Sequence, residues 1–199
     1  MRASLVAPKL GLALLCLLPL ARLAVLGTTG GLGANPIEFI TRSTGTWALV
    51  GLLVTLSITP VRRLTGWAQL ARFRRMLGLF AFFYACLHFT TYIWLDQFFD
   101  LSAIGRDIVK RPFITLGFAA FVLLIPLALT STRSMMQRLG RRWQTLHRLV
   151  YLTAILGVLH YLWLVKRDMS EPLIYAGILA ALLILRVPWL VLRLQSLRG

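Results

Sequence analysis

Apolar positions in this 199-residue chain fall in long runs, and the polar positions gather between them instead of alternating with them. Taking about 20 apolar residues as the length that crosses a bilayer, the pattern predicts six spanning helices, at 10–26, 45–59, 76–95, 112–130, 143–165 and 172–192. The expected fold is an all-α integral membrane protein, a single bundle over residues 1–199. Thr59 and Pro60 read as the stop of the second span. Pro112 reads as a helix start, where a missing amide is harmless, and Pro126 as a kink near the end of the fourth span. The stretch GTTGGLGANP, residues 27–36, reads as a turn leading into a short amphipathic segment around 37–41, because its glycine spacing matches no dinucleotide fingerprint.

Composition agrees: 58% of residues are hydrophobic and only six are acidic. A net charge of +16 would suggest nucleic acid on a water-facing domain. Here the basic residues flank apolar spans, so they report topology and no nucleic-acid partner is expected. The two termini and the linkers around 62–75 and 131–142 carry thirteen Lys or Arg and no acid, whereas the other three loops carry six of each sign. The positive-inside rule then puts both termini in the cytoplasm, with an even number of spans. The basic, apolar N-terminus also raises a cleaved signal peptide. Against cleavage stand the length of the first apolar run, its Pro19 and Arg22, and the odd span count that removal would leave. Cys16 and Cys86 sit inside apolar runs, and neither a disulfide nor a zinc site is expected of them.

The candidate chemistry centres on the fifth span, which carries His147 and His160. Thirteen residues at the helical rise place the two imidazoles about 20 Å apart along one axis. Neutral imidazole is the usual axial ligand of b haem, so the helix suggests two redox stations stacked across a membrane. An interhelical hydrogen-bond donor, a proton relay or a pore residue are the other readings, since ionisable groups in a span are costly and normally functional. His88, about seven residues from the outer end of the third span, shares a depth with His160, about five residues from the outer end of the fifth. A haem held between His88 and His160 satisfies bis-imidazole ligation. His147 has no histidine partner. Fourteen residues before His88 stands Arg74, a poor iron ligand but a good bidentate partner for haem propionates or a flavin phosphate. A five-coordinate haem, a flavin or a quinone at His147 all remain open, as does a purely topological role for Arg74.

The segments ACLHFTTY around His88, LGRRWQTLHRLVYLTAILGVLHYLW around His147 and His160, GGLGANP and SITPVRR strongly resemble the MsrQ (formerly YedZ) family. Its members are haem-binding membrane subunits of periplasmic methionine sulfoxide reductase systems in Gram-negative bacteria. More distantly the chain resembles the ferric reductase transmembrane domain shared with NADPH oxidases. The resemblance implies a single such domain over 1–199 in the bacterial inner membrane. It implies one or two b haems and an association with FMN, for which the chain shows no motif. Electrons would pass from the quinone pool or a cytoplasmic flavin reductase to a periplasmic molybdopterin partner, MsrP, which repairs oxidised methionines. His88, His147 and His160 fall on the family's haem-associated histidines and Arg74 on its arginine. The larger oxidases carry two histidines on each of two helices, whereas this chain has one on the third, so a symmetrical two-haem arrangement is not implied.

The chain is accordingly read as an electron-transfer subunit with substrate chemistry on its partner. An autonomous ferric or oxygen reductase would need a flavin domain, and a proton-coupled transporter would need buried acids and inverted repeats, neither of which the sequence displays.

Overall fold

The computed structural model describes residues 6–186. Its helices, in chain order, are α1 (Val6–Thr28), α2 (Pro36–Thr65), α3 (Arg74–Thr91), α4 (Leu101–Lys110), α5 (Pro112–Leu129), α6 (Arg133–Leu139), α7 (Arg141–His147), α8 (Leu149–Leu164) and α9 (Ser170–Ile184). Five stretches among the described residues are long and apolar enough to cross a membrane: α1, α2, α3 with the π-turn that extends it to Asp96, α5, and α7 with α8. The sixth expected span is represented by α9, fifteen residues long. The remainder of the 172–192 prediction, residues 187–192, lies outside the described residues.

The second span departs most from expectation. The predicted 45–59 helix begins at Pro36 and ends at Thr65, absorbing the amphipathic segment and passing through Pro60. Its start is built by Asn35, whose Oδ1 accepts the Glu38 N–H at 3.3 Å while its Nδ2 donates to Glu38 Oε2 at 3.0 Å. Pro36 occupies the first helical position, where no amide is needed. Gly66 ends the helix in the left-handed region at φ 76° and returns its N–H to Arg62 O. Pro60 removes the amide that would bond Leu56 O. That carbonyl instead accepts Arg186 Nη2 at 2.6 Å, so the helix continues with its backbone satisfied.

The fifth span is also corrected. It is not one helix over 143–165 but α7 and α8, separated at Arg148, where the N–H bonds Thr145 O in a tightened turn. The basic linker before it contains α6, capped by Thr132, whose Oγ1 accepts the Met135 N–H at 3.2 Å. The loop 96–111 holds the amphipathic α4, capped by Asp100, whose Oδ1 accepts Ala103 N–H at 2.9 Å. Just before it, Phe98 and Phe99 adopt positive φ of 48° and 62° and are exposed. Asp168 starts the approach to α9 by accepting the hydroxyl and N–H of Ser170, which hold its carboxyl below the usual range.

α2 is the axis of the bundle. Half of its spanning window is buried, against 11–22% for the other four spans. One of its faces, Ala48 and Leu52, packs on Ala81, Tyr84, Ala85 and Leu124, while Leu49, Leu53 and Leu56 pack on Ala154, Val158 and Leu179. Small residues permit this closeness, as they do generally between helices in lipid. At Gly51 an added Cβ would stand 3.0 Å from that of Ala81. The most extensive helix pairings are α2 with α3 and α5 with α8. These four helices surround the site.

Candidate functional site

His88 on α3 and His160 on α8 meet face to edge, with ring centres 6.1 Å apart and planes at 70°. The shared depth expected of the two histidines is thus met, with the rings as neighbours. Each ring is tied to the helix behind it. His88 Nδ1 lies 2.9 Å from Thr41 O of α2, and His160 Nδ1 lies 2.6 Å from Phe113 O of α5. A carbonyl oxygen only accepts, so Nδ1 carries the proton in both rings and Nε2 is left as the basic nitrogen of the neutral imidazole. This is the tautomer a metal-ligating histidine adopts when its other nitrogen is anchored. Two metal–imidazole bonds of about 2 Å would set ring centres about 6 Å apart, close to the observed spacing. The pair is therefore spaced to hold one metal centre between two helices.

Two glycines make room for these rings. A Cβ added at Gly45 would stand 2.9 Å from His88 Cε1, and one at Gly117 would stand 2.8 Å from His160 Nδ1. Both distances lie well inside the roughly 3.5–4.0 Å of comfortable carbon contact. Sequence reasoning missed Thr41, Gly45, Phe113 and Gly117. The signal available was a spacing: glycine and histidine are 43 residues apart in both cases, and carbonyl and histidine 47.

The third histidine lies towards the opposite end of the bundle. His147, Arg74, Arg75, Trp143 and Phe82 line a cavity of about 330 Å³ between α3, α5 and α7. His147 donates Nδ1–H to Trp143 O at 3.1 Å, within its own turn, and its ring stacks on Trp143 at 3.8 Å between centres. Trp143 is held in turn by its Nε1–H to Thr130 O at 2.9 Å. His147 Nε2 is buried and makes no well-formed hydrogen bond among the described residues, although the ring also comes within reach of the Leu127 backbone. The basic nitrogen of His147, in a ring that lines a cavity with two guanidinium groups on its rim, suits a ligand that offers both a hydrogen-bond donor or metal ion for that nitrogen's lone pair and oxyanions. Arg74, singled out from sequence, shares this rim with Arg75; Trp143 was not anticipated as a support for His147.

Comparison with known proteins defines the class first. The family described as "Ferric reductase like transmembrane component" matches residues 44–158, which take in α3, α5 and most of α8. The fold and this match make the chain a multi-pass membrane protein of the ferric reductase-like type. It is 62% identical to the "Protein-methionine-sulfoxide reductase heme-binding subunit MsrQ" of Herminiimonas arsenicoxydans, over 87% of this chain and 81% of the relative. Proteins of the same name from Ralstonia nicotianae and Rhodospirillum rubrum are each 58% identical, over 94% and 92% of this chain and 87% and 89% of theirs. The chain belongs to the MsrQ family. No solved structure matches it.

Proposed function

We propose that this chain is a b-haem electron-transfer subunit of the inner membrane that delivers electrons to a periplasmic, MsrP-like molybdopterin methionine sulfoxide reductase. The observation that carries the reading is the His88–His160 pair: two rings 6.1 Å apart, each with Nδ1–H committed to a backbone carbonyl. The relatives' printed name, "heme-binding subunit", supports the choice of group. The residues fit it on two observations of the site itself, the committed tautomers and the glycine cradles that a Cβ would fill. His88 and His160 hold the iron through Nε2, and Thr41 O and Phe113 O keep each ring from rotating. A haem bound there supplies one-electron transfer without proton uptake at its ligands. The apolar residues around the pair exclude water, and Nδ1–H···O=C bonds raise the electron donation of each ring.

The cavity around His147 is the electron entry side. Arg74 and Arg75 suit the oxyanions of haem propionates or of an FMN phosphate, and the basic His147 Nε2 suits a second iron or a hydrogen bond accepted from a quinol hydroxyl. Entry there from the quinone pool or from a cytoplasmic flavin reductase fits the basic linkers that the positive-inside rule assigns to the cytoplasm, with six spans and both termini on that side. Substrate chemistry resides on the partner.

The test is an optical spectrum of the purified protein before and after dithionite, with haem per chain determined as the pyridine hemochromogen. A reduced b-type α-band that disappears in His88→Ala and His160→Ala is expected. Wild-type spectra in both variants would remove the ligand assignment.

A further inference from the structure

We infer that Thr41–Gly45 of α2 and Phe113–Gly117 of α5 are two copies of one histidine seat, and that Gly45 and Gly117 are positioning residues fixing the rotation and tautomer of His88 and His160. This rests on the proposed haem reading and adds to it which residues set the ligands' orientation.

Each seat has three parts in one order. A helical carbonyl accepts the ring Nδ1–H, a glycine follows one turn later, and a histidine on the partner helix lies against both. The parts recur at a single offset of 72 residues: 41 with 113, 45 with 117, and 88 with 160. The offset also relates the helix pairs that pack most extensively, α2 with α3 and α5 with α8. The bundle therefore contains a duplicated unit, whose two histidines meet where the copies face each other.

The glycine follows from helix geometry. Residues i and i+4 share a face, so the side chain at i+4 stands over the carbonyl of residue i. That carbonyl already takes the i+4 amide, and a glycine at i+4 leaves its second lone pair open to a ring packed as closely as these two. With alanine at Gly45, the Cβ would meet His88 Cε1 at 2.9 Å and Nδ1 at 3.0 Å. With alanine at Gly117, it would meet His160 Nδ1 at 2.8 Å and Cε1 at 3.0 Å. Backbone and ring cannot both stay, so the imidazole tilts, the Nδ1–H bond stretches, and the 70° angle between rings changes. Loss of such an anchoring bond typically costs 10- to 100-fold in metal affinity.

The experiment uses the full-length protein in detergent with bound haem, comparing Gly45→Ala, Gly117→Ala, His88→Ala, His160→Ala and, as control, Gly177→Ala on α9, whose added Cβ would meet nothing within 4 Å. Haem loss to excess apomyoglobin and the low-spin EPR g-values are read for each. Gly45→Ala and Gly117→Ala should lose haem about tenfold faster or more and shift the largest g-value, while Gly177→Ala matches the parent. Parental loss rates and g-values in both seat variants, with the signal gone in both histidine variants, would overturn the seat and leave the ligand assignment standing. Persistence of the signal in the histidine variants would overturn both. Should the alanine variants not yield folded protein, pulsed EPR of the remote imidazole nitrogens in the unaltered protein decides. Two hydrogen-bonded Nδ1 signatures that survive exchange of the solvent to D2O unaltered support the seat, and an unbonded or solvent-bonded Nδ1 at either ring overturns it.

Discussion

Arg186, just beyond α9, donates Nη2 to the carbonyl of Leu56 at 2.6 Å, the carbonyl that Pro60 deprives of its helical donor. The same guanidinium donates to Tyr151 Oη and lies 4.9 Å from the Tyr151 ring centre. One cation thus repairs the proline break in α2 and joins α2, α8 and the end of α9. Leu56 is 1% exposed, so its carbonyl depends on this donor, and the contact is worth more than a surface hydrogen bond.

Arg186→Ala should therefore destabilise the protein by about 1–3 kcal/mol, the cost of leaving a buried acceptor unsatisfied. Pro60→Ala restores the amide to Leu56 and should recover part of that loss in the double variant. Thermal unfolding in detergent of the two single variants and the double one checks this, and strict additivity would contradict it.

Tyr84 is 3% exposed and donates its hydroxyl to Cys16 O at 2.7 Å, across α3 to α1. Tyr84→Phe keeps the ring and loses the bond, at about 0.5–1.5 kcal/mol. The expected readout is a slightly lower unfolding midpoint with faster alkylation of Cys16, and unaltered thiol reactivity would show that α1 docks by apolar contact alone.

At the entry side, Arg74→Ala should weaken cofactor retention or electron entry at the His147 cavity and leave the low-spin signal of the His88–His160 pair intact. Parallel EPR and donor-reduction kinetics distinguish the two. Unchanged entry and cofactor content would make Arg74 a topology charge only.

Five of the six expected spans were legible because apolar runs of bilayer length have few alternative explanations, and the nearness of His88 and His160 was legible because each stands a similar distance from the end of its span. The second helix was misjudged at Pro60, since the donor that rescues its carbonyl lies 130 residues away and no local signal points to it. The break at Arg148 was hidden in a continuous apolar run, where a single tightened turn leaves no compositional trace. Gly45 and Gly117 carry no signal of their own, because glycine within a span reads first as close helix packing. Their role appears only when spacing to the two histidines is compared. Arg74 stands fourteen residues before His88, whereas the repeat offset of 72 matches His147 to Arg75, and the cavity rim contains both.

The orientation inferred from charge should be visible in reporter fusions. A fluorescent protein fused after the last residue is expected to fluoresce in the cytoplasm, and alkaline phosphatase fused within 97–100 to be active. Active phosphatase at the C-terminus would invert the topology and exchange the entry and exit sides.

That His88 and His160 share one iron is checked by low-temperature EPR and reduced-minus-oxidised spectra of the parent, His88→Ala and His160→Ala proteins at matched protein concentration. Either substitution alone should abolish the same low-spin signal and the same share of the α-band. Two different signals lost separately, or no loss in either, would contradict it.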